Sequence, residues 1–288
     1  MKLVSYTNIE RQGYGILDGE YIIPLKEEDG FPKDLLSAIS QGLEMDDLKE
    51  LMGRHEGRLA LKLVRIDAPF TRVNRNVICL GMNYKEHVEE MAAGMKRTGD
   101  LPKFPVYFTK MVDNFSGPDS CLNISDSPSE KVDYEMELAV IIGKDGKNIS
   151  KEDAYDHIFG YTIANDFSAR DLQTNHMQWF KGKSLDGFCG LGPVLVTKDE
   201  FPIEKNPSLS SYVNGDLRQS SSLDKLIFDI PTIIEDFSRG ISLRAGDIIL
   251  TGTPSGVGMG MKPPVFLKAG DVVTCKIDGI GELTHKMV

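Results

Sequence analysis

Glu135, Glu137 and Asp166 are the residues of this 288-residue chain whose types and spacing come closest to a reactive centre. Residues 133–142 alternate with period two, so Asp133, Glu135 and Glu137 share one face of a strand while Tyr134, Met136, Leu138 and Val140 share the other. At the strand rise Glu135 and Glu137 stand ~7 Å apart, too close for two unpaired carboxylates in a half-buried place unless a cation lies between them. A second apolar run, residues 158–164, ends in Asn165-Asp166 and can deliver a third carboxylate. Three carboxylates with no Cys or His beside them describe a hard-metal site, for Mg²⁺ first and Mn²⁺ or Ca²⁺ after it. The same spacing also fits a solvated strand face whose acids pair with Lys or Arg, and the residues alone leave both open.

Other groups cluster around these acids in the sequence. His87 and Glu90 fall three apart on one face of a helix that Asn83 and Glu86 could open as a capping box. Ala92-Ala93-Gly94 and Thr98-Gly99-Asp100 then interrupt it, as in a short, movable lid; an exposed ion pair is the plainer account of His87 and Glu90. Arg170 and Gln173 follow directly on Asp166 and place a cation and an amide beside the acids. Lys183, between Gly182 and a buried-looking Phe188-Cys189-Gly190-Leu191-Gly192-Pro193 segment, is a candidate for a held, oriented cation. Thr251-Gly252-Thr253-Pro254-Ser255-Gly256-Val257-Gly258 offers N–H groups and hydroxyls, Thr253 among them, that could hold a carboxylate or phosphate. It lacks the Lys of a P-loop and the dinucleotide spacing, and a tight hairpin loop would explain it equally well.

The elements that must position these groups follow from periodicity. Residues 1–70 read as a small α+β domain: a strand over 2–6, a hairpin of 14–17 with 21–25 across Asp18-Gly19, helical spacing at Leu35, Leu36 and Ile39 and at Leu48, Leu51 and Met52, and a linker at Asp67-Ala68-Pro69. Residues 71–288 are richer in strands and Gly turns, with short strands over 77–80, 248–250 and 272–277. Ser150 is placed to cap a helix ending near His157, and Ile230, Ile233, Ile234 and Phe237 mark a core helix with Pro231 in its first turn and Gly240 past its end.

A net charge of −10 and pI near 5.1, with no basic cluster longer than a pair, argue against nucleic acid or an anionic membrane as partner. Cys79, Cys121, Cys189 and Cys275 form no C-x-x-C pair, so neither a zinc site nor a disulfide framework is indicated. The longest purely apolar run, residues 138–142, is far too short to span a bilayer, and the N-terminus has no apolar signal core. A reduced, cytoplasmic protein is the expectation.

Gly81-Met82-Asn83-Tyr84 with His87 and Glu90, Asp133-Tyr134-Glu135-Met136-Glu137-Leu138, Asn165-Asp166, Lys183 with Asp186 and Phe188, Gly192-Pro193 and the 251–258 stretch stand in the order and spacing that resemble the fumarylacetoacetate hydrolase family, from about residue 76 to 285. The resemblance implies an α+β fold dominated by a rolled, mixed β-sandwich, a homodimer, and a small variable N-terminal domain. It implies Mg²⁺ or Mn²⁺ held by Glu135, Glu137 and Asp166, His87 and Glu90 as a water-activating pair on a lid, and Lys183 as an active-site lysine. Arg170, Gln173 and Thr253 are the expected substrate-binding residues. His285 departs from the family, whose members often carry Asn there.

The substrate class implied is a small 2-oxo acid. Foremost is hydrolysis of a C–C bond in an acylpyruvate-type β-diketo acid via a metal-bound pyruvate enolate. Next comes decarboxylation of an oxaloacetate-type acid, to bacterial examples of which residues 149–173 and Pro263-Pro264 are similar, and then tautomerisation or isomerisation. The non-catalytic alternative is a metal-stabilised binding or scaffold dimer, against which the joint presence of His87, Glu90 and Lys183 speaks.

Overall fold

The computed structural model describes residues 1–9, 11–53, 57–95 and 100–288. Its main sheet has eleven strands. From one edge they run Leu59–Ala60, Tyr21–Leu25, Gln12–Asp18, Lys2–Thr7, Cys189–Thr197, Ile158–Asp166, Met136–Ile142, Ile248–Leu250, Val77–Gly81 and Val106–Lys110, with Arg65–Asp67 also paired to Lys2–Thr7. All neighbours are antiparallel except Ile248–Leu250 with Val77–Gly81. The sheet does not stop at residue 70, because Lys2 and Leu3 pair with Val196 and Leu195. A second sheet of five strands, Asp216–Ser222, Ser208–Val213, Val272–Ile277, Gly281–Met287 and Ser120–Leu122, packs against the first.

Met136–Ile142 shows why this region was written in apolar residues. Met136, Leu138, Val140 and Ile142 face the core between the two sheets, whereas Ala139 and Ile141 face a second core that also takes in Leu35, Leu36 and Ile39 of the helix Leu35–Ser40. The strand is buried on both faces, not half-exposed as its alternation predicts. Each large apolar side chain so buried contributes about 1.5–3 kcal/mol, which offsets the cost of seating acids in the same strand. The sheet then rolls over: beyond Val106–Lys110 the chain returns to Gly190 through a bridge from Ser116, enclosing Val77, Cys79, Ala164, Leu191 and Leu250. The mixed, rolled sandwich is thus the observed architecture.

Several local expectations shift. The first hairpin turns on Gly19-Glu20, since Asp18 already pairs with Tyr21. Ser150 caps only a turn and a 3₁₀ segment, Ala154–His157. Asn83 does not cap the helix Lys85–Met95; its amide donates to Phe228 O and Thr251 O and accepts from Phe228 N, tying two loops together. That helix runs on through Ala92-Ala93-Gly94, and Thr98 and Gly99 of the expected lid lie outside the described residues. Ile230–Ser238 forms as expected, capped by Asp229, which accepts from Thr232 N at 2.9 Å. Among the described residues no helix is long and apolar enough to cross a membrane, and all four cysteines are free.

Candidate active site

Strand register builds the acidic cluster. Met136 pairs with Asn165 and Glu137 with Ala164, so Glu135 lies opposite Asp166 and Asp166 N donates to Glu135 O at 2.8 Å. Side chains two apart share a face, and Glu137 therefore joins them at one end of the roll. One ligand atom from each of the three lies within 4.8 Å of the others, and all three residues are buried. Asp133 breaks the expected pattern. It sits in the short strand Val132–Asp133, turned away to Arg170 Nε at 2.9 Å, and it accepts from Gly258 N and Met259 N.

Cations surround the acids unevenly. Lys183 Nζ lies 2.6 Å from Glu135 Oε2 and 2.8 Å from Asp166 Oδ2, Arg170 Nη1 lies 2.7 Å from Glu135 Oε1, and Lys110 Nζ bonds Asp166 Oδ1. Glu137 has no cation: Oε2 accepts from Gly252 N at 2.6 Å, and the buried Oε1 has no partner among the described residues. Burial would raise Glu135, but Lys183 and then Arg170 outweigh it and bring its carboxyl down to about 2. For Glu137 burial, reinforced by Asp166 and Glu135, raises the carboxyl well above its ordinary range. An unpartnered oxygen facing two other carboxylates, all oxygen donors, fits a hard divalent cation. Glu135, Glu137 and Asp166 are the residues that could hold it.

Opposite the acids stands the helix Lys85–Met95. His87 Nδ1 is 3.4 Å from Glu90 Oε2, so with Nδ1 as the donor the Nε2 lone pair is left as the basic site. Glu90 is held by Gly256 N at 3.0 and 3.2 Å. The Gly-rich stretch is thus neither a hairpin loop nor, in this arrangement, a cradle for a foreign anion. Its N–H groups at Gly252, Gly256 and Gly258 grip the protein's own Glu137, Glu90 and Asp133. Gly256 has φ +103, and a Cβ there would meet Arg218 O at 1.9 Å, so only glycine fits.

His87, Glu135, Arg170, Gln173, Lys183 and Thr253 line one cavity of about 350 Å³, walled by Val88, Met91, Phe108 and Trp179. Ligand atoms of Glu137 and Asp166 lie within 4.8 Å of one on Glu135, and Glu90 Oε2 lies 3.4 Å from His87 Nδ1, so these three stand beside residues that line the cavity. Thr253 Oγ1 is engaged internally, donating to Met136 O and accepting from Gln219 Nε2. Arg170 Nη1 also donates to Gln173 Oε1 at 3.2 Å. A second chamber of about 390 Å³ adjoins across Met91 and Arg170 and is lined by Lys131, Met259, Met261 and Lys262.

Other contributors were not found from sequence. Lys110 ends the apolar strand Val106–Lys110 and is fully buried, a lysine whose only signal was its place after Val106-Tyr107-Phe108-Thr109. Gln219 ties the acid strand to the Gly-rich stretch through Met136 N, Thr253 Oγ1 and Pro254 O. Trp179 stacks edge-to-face on Phe108, centroids 5.3 Å apart, and lies against Gly81.

Comparison with known proteins agrees with this geometry. Residues 76–288 match the family model described as fumarylacetoacetate (FAA) hydrolase C-terminal. An oxaloacetate tautomerase of Bacillus subtilis is 42% identical, covering 94% of this chain and 94% of the relative. A solved fumarylacetoacetate hydrolase from psychrophilic Exiguobacterium antarcticum is also 42% identical, with a TM-score of 0.86 over 100% of this chain and 99% of that one. A maleylpyruvate hydrolase from Sphingobium sp. SYK-6, solved with manganese(II) and pyruvate, is 28% identical with a TM-score of 0.79 over 100% and 99%. The rolled sandwich, its buried carboxylates and these matches together make the chain a member of the fumarylacetoacetate hydrolase family.

Proposed function

We propose that this protein is a divalent-metal-dependent tautomerase that interconverts the enol and keto forms of oxaloacetate or a closely similar small 2-oxo acid. The observation that carries the proposal is the placement of an oriented base, His87 backed by Glu90, across one small cavity from the carboxylate cluster. The 42% identity to an oxaloacetate tautomerase over nearly the whole chain supports the choice of substrate and moves tautomerisation ahead of the hydrolysis that the motifs favour.

A cation held by Glu135, Glu137 and Asp166 would supply Lewis-acid stabilisation of negative charge on the 2-oxo oxygen. The chain's own residues handle the proton. His87 Nε2 removes it from the carbon beside the 2-oxo group, Glu90 steadies the imidazolium so formed, and His87 returns it in the reverse direction. The N–H groups of Gln173 orient a substrate carboxylate, Arg170 holds Glu135 and Gln173 in place, and Phe108, Trp179 and Met91 keep water from the enolate. Lys183 contributes a proton donor to the developing oxyanion.

Hydrolysis of longer acylpyruvates is the second reading, favoured by the adjoining chamber, which offers room and two lysines for an acyl tail. The homodimer expected of the family belongs to this proposal and is checked by sedimentation. The deciding assay follows loss of enolic oxaloacetate by ultraviolet absorbance with Mg²⁺ or Mn²⁺, beside separate assays of pyruvate release from oxaloacetate and of acylpyruvate cleavage. Metal-dependent acceleration of enol loss is expected. Cleavage of acylpyruvates with no effect on enol decay would replace tautomerisation by hydrolysis, and pyruvate release without enol turnover would replace it by decarboxylation.

A further inference from the structure

The six oxygens of Glu135, Glu137 and Asp166 divide into two sets. One oxygen of each carboxylate is held by a donor with a fixed place in the fold: Glu135 Oε1 by Arg170, Glu137 Oε2 by Gly252 N, and Asp166 Oδ1 by Lys110. Of the three that remain, Glu135 Oε2 and Asp166 Oδ2 both rest on one group, the Lys183 ammonium, and Glu137 Oε1 rests on none. Lys110 and Arg170 each touch one member of the triad, whereas Lys183 alone bridges two. A bridging position between carboxylates is also where a cation using those oxygens must sit.

Lys183 is spent in this arrangement. Its Nζ makes two charge-assisted bonds and stands 5.1 Å from the centroid of the Phe108 ring, and the residue is 1% exposed. An ammonium carries three N–H groups, so little is left for a ligand. Releasing it without a substitute would leave Glu135 Oε2 and Asp166 Oδ2 unpaired in a buried place, with Arg170 and Lys110 each holding only the other oxygen, a penalised state.

We propose that Lys183 and the divalent cation are alternative holders of one position: the cation takes Glu135 Oε2, Asp166 Oδ2 and Glu137 Oε1, and its arrival frees the Lys183 ammonium to turn into the cavity as a donor to substrate. This rests on the metal-dependent reading above and adds to it that the lysine becomes available only with the metal. The three clamped oxygens hold each carboxylate to a single bond with the ion, which suits a small six-coordinate cation and not one that seeks bidentate carboxylates.

Two measurements, neither involving turnover, test this. In the first, Mg²⁺ and Mn²⁺ are titrated calorimetrically into metal-stripped wild-type protein and Lys183→Met. The variant is expected to bind more tightly, by about tenfold or more, because no buried ion pair has to be broken; equal or weaker binding overturns the proposal. In the second, reductive methylation of wild-type lysines is followed by mass spectrometry with and without Mg²⁺. Lys183 is expected to react about tenfold faster with the ion while Lys110 stays protected, since a buried, ion-paired amine is slow to lose its proton. Metal binding with unchanged Lys183 labelling overturns the exchange and leaves the metal site standing, whereas failure of the wild type to bind either ion removes both.

Discussion

Replacing His285 by Gln is expected to flatten the acid limb of the protein's stability curve. The imidazole is fully buried on the strand Gly281–Met287, edge-to-face with Phe167 at 5.3 Å; Nε2 faces Ser116 O at 3.1 Å, and Nδ1 has no partner among the described residues. Burial drives its pKa down from 6.5 to about 4, against the opposing pull of Ser116 O. A proton is therefore taken up by the unfolded chain before the native one, and the stability present above pH 6.5 is lost as pH falls toward 4. At about 1.4 kcal/mol per tenfold in proton affinity the whole gap is worth about 3 kcal/mol, of which about 2 kcal/mol is lost between pH 7 and pH 5. Gln keeps an N–H that can face Ser116 O and does not titrate. Urea unfolding of both proteins at pH 7, 6 and 5 should show the wild type losing about 2 kcal/mol more than the variant. Parallel losses would refute the assignment of this acid sensitivity to His285.

Glu137→Gln removes the carboxylate that a cation would need and should weaken Mg²⁺ binding by about a hundredfold or more, beyond the loss typical of an outer-sphere partner, while leaving metal-stripped stability equal or higher; calorimetry that finds full affinity would remove Glu137 from the ligand set. His87→Ala should cost ~10²-fold or more in kcat for enol loss, with Mg²⁺ affinity retained; an unchanged kcat would place the base elsewhere. Lys110→Met leaves one Asp166 oxygen unpaired while Lys183 still holds the other, and should destabilise the metal-stripped protein by about 1–3 kcal/mol, as thermal unfolding would show by a lower Tm. Gly81→Ala puts a Cβ 2.2 Å from the Trp179 ring, so the fluorescence of the chain's one tryptophan should shift and stability fall by about 1–3 kcal/mol; unchanged emission would show that the ring moves aside freely.

What the sequence revealed and what it hid divide along physical lines. Alternation over residues 133–137 and the apolar run ending at Asp166 are local patterns, and they pointed to the acid triad without a structure. The helix Ile230–Ser238 was equally legible, because its apolar stripe, its first-turn Pro231 and the Gly240 past its end all lie within a few turns. Lys110 was not, since its burial depends on closure of the sheet between Val106–Lys110 and Gly190, eighty residues apart in the chain. Asn83 looked like a helix cap because Glu86 follows at the right interval, and tertiary partners at Phe228 and Thr251 outcompeted that local role. Asp133 kept the period of its neighbours in sequence but left it in space, drawn off by Arg170 and the Gly258 and Met259 N–H groups.

The stretch 251–258 grips Glu137 on one strand and Glu90 on a distant helix through amides only four residues apart. Whatever fixes the loop while Glu137 is engaged leaves less freedom to be lost when Glu90 docks, so the two events are linked and each must favour the other by the same factor. Energies in this part of the molecule will consequently fail to add. A double-mutant cycle on Glu90 and Glu137, which accept from different amides of the loop, should return a coupling of about 0.5 kcal/mol or more, transmitted through the backbone of one glycine-rich turn.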